Sequence, residues 1–342
     1  MKFKIHVYTV FLIYLGGFCP LAQGQTGKYV MTVNGKLAVD EMGKTLIHEH
    51  ITTNFDGTKN ANQPFEDQKK AIDLILPHLK YLKTLGYKTL IECTPSHIGK
   101  NVDLLQKLSK LSGINIVTNT GYYAAVDKKY LPEHVYNESA QSLASVWYEE
   151  WKEGIADTGI RPGFIKLGVG KGALDGTEQK IFKAGMMLSK KTGMTIAVHT
   201  GDGTSIKSQS RLAEENNFDL KRLIWVHAQN GKDEERLRMA EKGIWISLDG
   251  VSETRIDAYV EMIDKLRAHS LLSRLLLSHD DGWGVAYNKG QLVLNPFENG
   301  NKRPYRTISE VLLKKLIALG FTQNQLDMIF IENPKEAFGI IN

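Results

Sequence analysis

Eight short apolar runs, separated by longer stretches of helical periodicity, constrain this sequence more than any other feature in it. They are TLIHEHI (45–51), KTLIECT (88–94), INIVTNT (114–120), GFIKLG (163–168), MTIAVH (194–199), LIWVHA (223–228), IWISLD (244–249) and LLLSHD (275–280). Between them lie amphipathic stretches over 68–85, 102–111, 178–192, 233–242 and 255–269, and closing helices are expected over 308–319 and 323–329. Strands that alternate with helices give βαβ units and a parallel sheet. Eight such units fit closure into a (β/α)8 TIM barrel, an α/β fold, better than an open sheet. The competing doubly wound sheet would need a Gly-rich phosphate loop after its first strand, and none follows residue 51. No linker divides the chain, so residues 25–342 are expected to form a single catalytic domain.

The N-terminus has a different character. Lys2 and Lys4 precede the apolar run VYTVFLIYLGGFC, no acidic residue occurs before Asp40, and Leu21-Ala22-Gln23-Gly24 offers small residues at −3 and −1 of a cut after Gly24. That is the pattern of a secretory signal peptide over residues 1–24, and the run is shorter than the ~20 residues that span a bilayer. Processing as a lipoprotein before Cys19 would place the bulky Phe18 where a small residue is usual. The expectation is therefore a secreted or periplasmic protein with no stable membrane insertion after signal removal. Loss of two lysines and no acids takes the net charge from +5 to +3. A charge so small and so evenly spread excludes nucleic acid as the expected partner. Cys93 would be the one remaining cysteine, a buried thiol in an apolar run, so stability must come from packing.

The chemistry is carried by residues at the ends of the runs. His48 and His50 are two apart, which in a strand puts both on one side. His199 ends the fifth run, His227 lies near the end of the sixth, and Asp280 closes the eighth. A barrel gathers strand ends around one mouth. Catalytic metals use imidazole nitrogen and carboxylate oxygen and commonly take three protein ligands. Four histidines and an aspartate exceed one metal's needs, so two divalent metals are the economical reading. Lys166 is the odd member: an apolar strand rarely buries an unpaired lysine, because the cost is high. By alternation Leu276, Ser278 and Asp280 share a side and His279 faces away.

These segments together resemble the phosphotriesterase-related family of the amidohydrolase superfamily. The likeness rests on GKTLIHEHI, NTGYY (119–123), GIRPGFIKLG (159–168), IAVHTGDG (196–203), LIWVHAQN (223–230), LLLSHDDGW (275–283) and IENPKEAF (331–338). It implies a metal-dependent hydrolase of a small-molecule ester, lactone, amide or phosphoester, with a non-catalytic metal-containing ligand-binding barrel as the alternative. It further implies that His48, His50 and Asp280 hold a more buried metal, His199 and His227 a more exposed one, and that Lys166, carbamylated by CO2, bridges the two. In the family's mechanism a bridging hydroxide is the nucleophile and the Asp280 carboxylate takes its proton. Zinc is the expected metal, and a homodimer is an open option.

Two positions depart from the family's pattern. Phosphotriesterases carry an acidic relay residue just after the sixth-strand histidine, where this chain has Asn230; after the seventh strand, relatives carry Arg or His where Asp249 is followed by Gly250. A carbonyl substrate is therefore expected over a phosphotriester, and acyl-homoserine lactones are not the lactones expected. The long connections 122–159 and 282–307 follow strands and belong on the active face. Tyr122, Tyr123, Trp283 and Tyr287 could line a substrate pocket there, and Lys289, Lys302, Arg303 and Arg306 could pair with an anionic tail.

Overall fold

The structure is a computed structural model and describes residues 27–56 and 68–341. The expected signal peptide, 1–24, lies outside the described residues. Each apolar run contains a strand: β1 Lys44–Glu49, β2 Tyr87–Glu92, β3 in two pieces (Asn115–Val117 and Asn119–Thr120), β4 Phe164–Val169, β5 Ile196–Thr200, β6 Leu223–Val226, β7 Trp245–Leu248 and β8 Leu275–Leu277. The first three pair in parallel as one sheet segment, and the second piece of β3 through β8 pair in parallel as another. The ring closes between β8 and β1, where the Asp280 amide donates to the His48 carbonyl at 3.1 Å and the His50 amide to the Asp281 carbonyl at 2.7 Å.

Strand alternation sorts the apolar residues into two cores. Outward side chains such as Ile165, Leu167, Ile196 and Trp225 pack under the helices. Inward ones, including Ile47, Phe164, Ala197, Ile224, Trp245 and Leu276, fill the barrel with Phe338. Such layers make a barrel interior a packed core and not a pore. Beneath it, an antiparallel hairpin of Lys28–Thr32 and Gly35–Ala38 pairs with Ile340–Ile341.

Moving up an inner face by two residues leads from core to mouth: Phe164 to Lys166, Ala197 to His199, Trp245 to Ser247 to Asp249. β1 departs from this rule. Ile47 lies in the interior core and the very next residue, His48, lines the mouth. Regular alternation forbids that, and β1–β2 pairing is irregular between Leu46 and Glu49.

The connection 122–159 contains a helix, Ala140–Glu153, capped by the Ser139 side chain. Besides the strands beneath the barrel, further elements were not expected. Helix Gly203–Glu215 begins on an Asp202 cap, and its sequence, GTSIKSQSRLAEE, has too few apolar residues to announce itself. The connection 282–307 is not a plain loop: β9 Trp283–Asn288 and β10 Gln291–Pro296 form an antiparallel hairpin on the rim. No helix among the described residues is long and apolar enough to cross a membrane.

Candidate metal centre and active-site cavity

The mouth of the barrel holds a cavity of about 300 Å³. His48, His50, Lys166, His199, His227 and Asp280 all line it. Asp280 is the focus. Its Oδ1 lies 3.0 Å from His50 Nε2 and 3.4 Å from His48 Nε2, and its Oδ2 lies 4.0 Å from His227 Nε2. The ring of His199 completes the group, 4.4 Å from that of His227. Burial pushes the Asp280 carboxyl up, but the surrounding imidazoles outweigh it and hold the group well below the usual carboxylate range. Burial and Lys166 lower His48 to about 4, and burial and the neighbouring His227 lower His199 strongly. Both imidazoles are thereby kept neutral, with a lone pair for a cation.

Backbone geometry delivers two of these side chains. His227 (φ 61°) and Asp280 (φ 57°) sit in the left-handed region, which non-glycine residues seldom adopt and which clusters at functional sites. After Val226, an inward core residue, only such a turn lets His227 also face the mouth.

Lys166 has its ammonium group buried, with the residue 2% exposed, and its Nζ finds no hydrogen-bond partner among the described residues. A bare buried amine amid histidines is unfavourable. Converted to a carbamate, it would offer anionic oxygens to cations held by the surrounding imidazoles. The donor set fits a pair of divalent metals: His48, His50 and Asp280 bring ligand atoms within 4.8 Å of one another, and His199, His227 and Lys166 line the same cavity.

Three groups that sequence reasoning did not single out hold the donors in place. Asp249, fully buried, contacts His227 Nδ1 at 2.7 Å and His48 Nδ1 at 3.0 Å. Its position was legible, since 245, 247 and 249 share the inner face of the seventh run. Thr94 Oγ1 lies 2.8 Å from His50 Nδ1. Glu49, between the two first-strand histidines, points the other way. It accepts from His279 Nδ1 (2.7 Å), Ser278 Oγ (2.7 Å) and the amides of His279 (3.0 Å) and Asp281 (2.8 Å). His279 therefore faces away from the mouth, and its Nε2 accepts from the Ile308 amide at 3.0 Å.

The aromatic expectations divide. Tyr123 lines the cavity with its ring 4.9 Å from His199. It lies across Gly168, where any Cβ would come within 2.3 Å of the ring. Tyr122 is instead buried against His97, His134 and Trp147, Trp283 is buried against His78 and Tyr305, and Tyr287 stands 56% exposed on the hairpin. None of these three lines the cavity. Their places are taken by Phe55, Ile98, Val126, Tyr130 and Phe297, for which the sequence carried no signal beyond lying after strands.

The four basic loop residues do not enter the cavity either. Lys302 pairs with Glu253, Arg303 pairs with Glu310, Arg306 lies over the Tyr81 ring, and Lys289 sits in the hairpin turn. Among the described lining residues, Lys166 is the one lysine or arginine. Asn230 lines a separate hollow with Asp233, Arg236 and Tyr259. A Cβ at Gly250 would come within 2.6 Å of the Tyr259 hydroxyl oxygen and 3.0 Å of Gln229 Nε2, so the space for a larger residue there is already filled. Cys93 lines the cavity too, with its thiol pushed up by burial, and so is no nucleophile.

An α/β barrel with imidazoles, a carboxylate and a lysine converging at its C-terminal mouth defines the class of metal-dependent barrel hydrolases. Within that class the chain belongs to the Phosphotriesterase family, which it matches over residues 28–338. It is 28% identical to the phosphotriesterase homology protein of Escherichia coli (strain K12), over 88% of this chain and 100% of the relative. An N-acetyltaurine hydrolase of Danio rerio is 24% identical, over 90% of this chain and 96% of its own length. Among solved structures, an organophosphorus hydrolase from Deinococcus radiodurans superposes with a TM-score of 0.81 at 26% identity, covering 92% of this chain and 97% of that one. The chain is thus a hydrolase of a family that depends on a metal pair and acts on small molecules.

Proposed function

We propose that this enzyme cleaves an ester, lactone or amide bond at a carbonyl carbon, using two divalent metals, zinc by preference, bridged by carbamylated Lys166. The observation that carries the reading is the convergence of three imidazole Nε2 atoms on Asp280 beside a buried lysine amine with no hydrogen-bond partner among the described residues. His48, His50 and Asp280 would hold one metal, His199 and His227 the other. Bound there, the pair supplies polarisation of the scissile oxygen and activation of water at neutral pH.

The chain's own residues do the rest. Asp280, kept ionised and partly open to the cavity, accepts the proton of the attacking water. Tyr123, beside His199, bounds the reacting centre. Phe55, Ile98 and Phe297 form an apolar wall that excludes water and receives a hydrocarbon or aromatic portion of the substrate. No lysine or arginine besides Lys166 lines the described cavity, which favours an uncharged tail.

Metal polarisation alone does not separate carbonyl from phosphoryl substrates. The preference for a carbonyl rests on Asn230, which cannot relay a proton and faces a different hollow. A relative named for N-acetyltaurine and a solved neighbour described as a PTE-like lactonase agree with it. A second relative, an aryldialkylphosphatase, is the reason to test the alternative. The experiment measures kcat/KM of the metal-loaded enzyme on lactones, N-acyl amino acids and paraoxon. Paraoxon as the best substrate by tenfold, ~1.4 kcal/mol in transition-state binding, overturns the carbonyl assignment. Export through residues 1–24 belongs to the same reading. N-terminal sequencing of protein from a native envelope fraction checks it, with an intact Met1 in the cytoplasm as the refuting result.

A further inference from the structure

Asp249 touches one histidine from each side of the centre, and everything around it donates. Its Oδ2 receives the His227 amide (3.0 Å), Ser247 Oγ (2.7 Å) and His48 Nδ1 (3.0 Å). Its Oδ1 receives His227 Nδ1 (2.7 Å) and Gln229 Nε2 (3.0 Å). An ionised carboxylate only accepts. Both imidazoles must therefore carry a proton on Nδ1, and in the neutral ring the lone pair then sits on Nε2, the atom that faces Asp280. His50 is fixed by a different group. Thr94 Oγ1 lies 3.3 Å from the Thr52 carbonyl, which can only accept, so the threonine proton goes there and its lone pair takes the His50 Nδ1–H.

Resting on the two-metal reading above, we propose that Asp249 is a positioning residue shared by both metal positions. One side chain sets the donor tautomer of His48 at the first position and of His227 at the second, so that occupancy at both depends on it. Thr94 serves the first position alone. His48, His227 and Asp249 are themselves close enough to cradle an ion. An ion there would take both Nδ1 atoms, leave the Nε2 lone pairs idle at the mouth, and displace five donors from a side chain with no solvent exposure.

The chemistry of Asp249→Asn makes the proposal specific. An amide nitrogen in the Oδ2 place would meet the His227 backbone N–H, which cannot turn away. In the Oδ1 place it would meet the Gln229 amide, which can flip at the expense of one long bond, the 3.3 Å contact of its Oε1 with the Asp249 N–H. The nitrogen thus settles against His227 Nδ1 and drives that proton to Nε2, whereas His48 keeps its tautomer.

Two readouts test this. Long-range 15N histidine spectra of metal-free wild-type protein, with signals assigned by single His→Gln variants, are expected to show Nδ1–H on His48, His50 and His227. Asp249→Asn should move His227 alone, and Thr94→Val should disturb His50 alone, with Thr94→Ser restoring it. Zinc retained after dialysis against a chelator should be two per chain in wild type, one in Asp249→Asn and below one in Asp249→Ala. Wild-type spectra in which Nδ1 of His48 or His227 carries no proton overturn the proposal without any variant. So does folded Asp249→Asn that keeps both tautomers and both zinc ions. Wild-type protein with the expected tautomers but a single zinc refutes the two-metal reading and supports the action of Asp249 on both histidines.

Discussion

Replacing Glu49 by Gln should destabilise the protein by about 3–5 kcal/mol, although the two side chains have nearly the same shape. The four donors on this fully buried carboxylate bind the end of β8 to β1, at the seam where the ring closes. In the variant, the amide oxygen can keep the three donors at the Oε1 place. The amide nitrogen then faces the Asp281 N–H, donor against donor. An orphaned buried amide costs about 1–3 kcal/mol. The three remaining bonds also lose their ionised acceptor, which falls from roughly 1.5–3 to 0.5–1.5 kcal/mol each. These losses overlap and together come to about 3–5 kcal/mol. Urea unfolding at pH 7, followed by tryptophan fluorescence and circular dichroism on metal-free protein, measures the change. Burial pushes the Glu49 carboxyl up, against the pull of His279 and Ser278. If burial won and the group were already neutral at pH 7, the variant would lose less than about 1 kcal/mol. That outcome would refute an ionised clamp at the seam.

Three further outcomes follow. Lys166→Ala should lower zinc content and activity together, and a short carboxylic acid in the medium should restore part of both; activity unchanged at reduced zinc would contradict the bridging role. Gly168→Ala places a methyl group 2.3 Å from the Tyr123 ring, so kcat/KM should fall by about 10–100-fold, in line with the loss expected when a positioned group is displaced by ~1 Å, with zinc content unchanged by elemental analysis. Lys44 is lowered to about 8 by burial against its ordinary 10.5. Below pH 8 its charge is held in an unfavourable place, and between about pH 8 and 10.5 the unfolded chain binds more protons, so stability rises with pH. Lys44→Met should stabilise the protein by about 1 kcal/mol at pH 7, allowing for solvent screening, and the gain should vanish by pH 10.5 in thermal scans.

The apolar runs made the barrel legible because strand alternation is a local property, written every second residue. It carried Lys166 and His199 to the inner face for the same reason that it carried Phe164 and Ala197. It said less about His48, which reaches the mouth through an irregular pairing, and about His227 and Asp280, which lie beyond their strands in the left-handed region. Neither device is visible in a pattern of apolar residues. The cavity wall was harder still. Tyr122 and Trp283 looked like pocket aromatics and proved to be packing residues, whereas Phe55 and Phe297 supply the wall. Loop aromatics are sorted by three-dimensional neighbours, and those come from elsewhere in the chain. The rim hairpin was hidden because Gly, Asn and Pro at its turn and ends read as loop, and its short strands carry mixed burial.

The apolar filling of the lower barrel has a consequence for traffic. Phe164, Trp245, Leu276 and Phe338 close the floor beneath Lys166 and Cys93, so among the described residues the cavity opens at the mouth. A substrate enters and its products leave by the same side. On the carbonyl reading proposed above, an acid released there would occupy that way in until it diffused out. The product would then compete with its substrate, and turnover would be tied to how readily the rim formed by Phe55, Val126 and Phe297 lets an apolar fragment go.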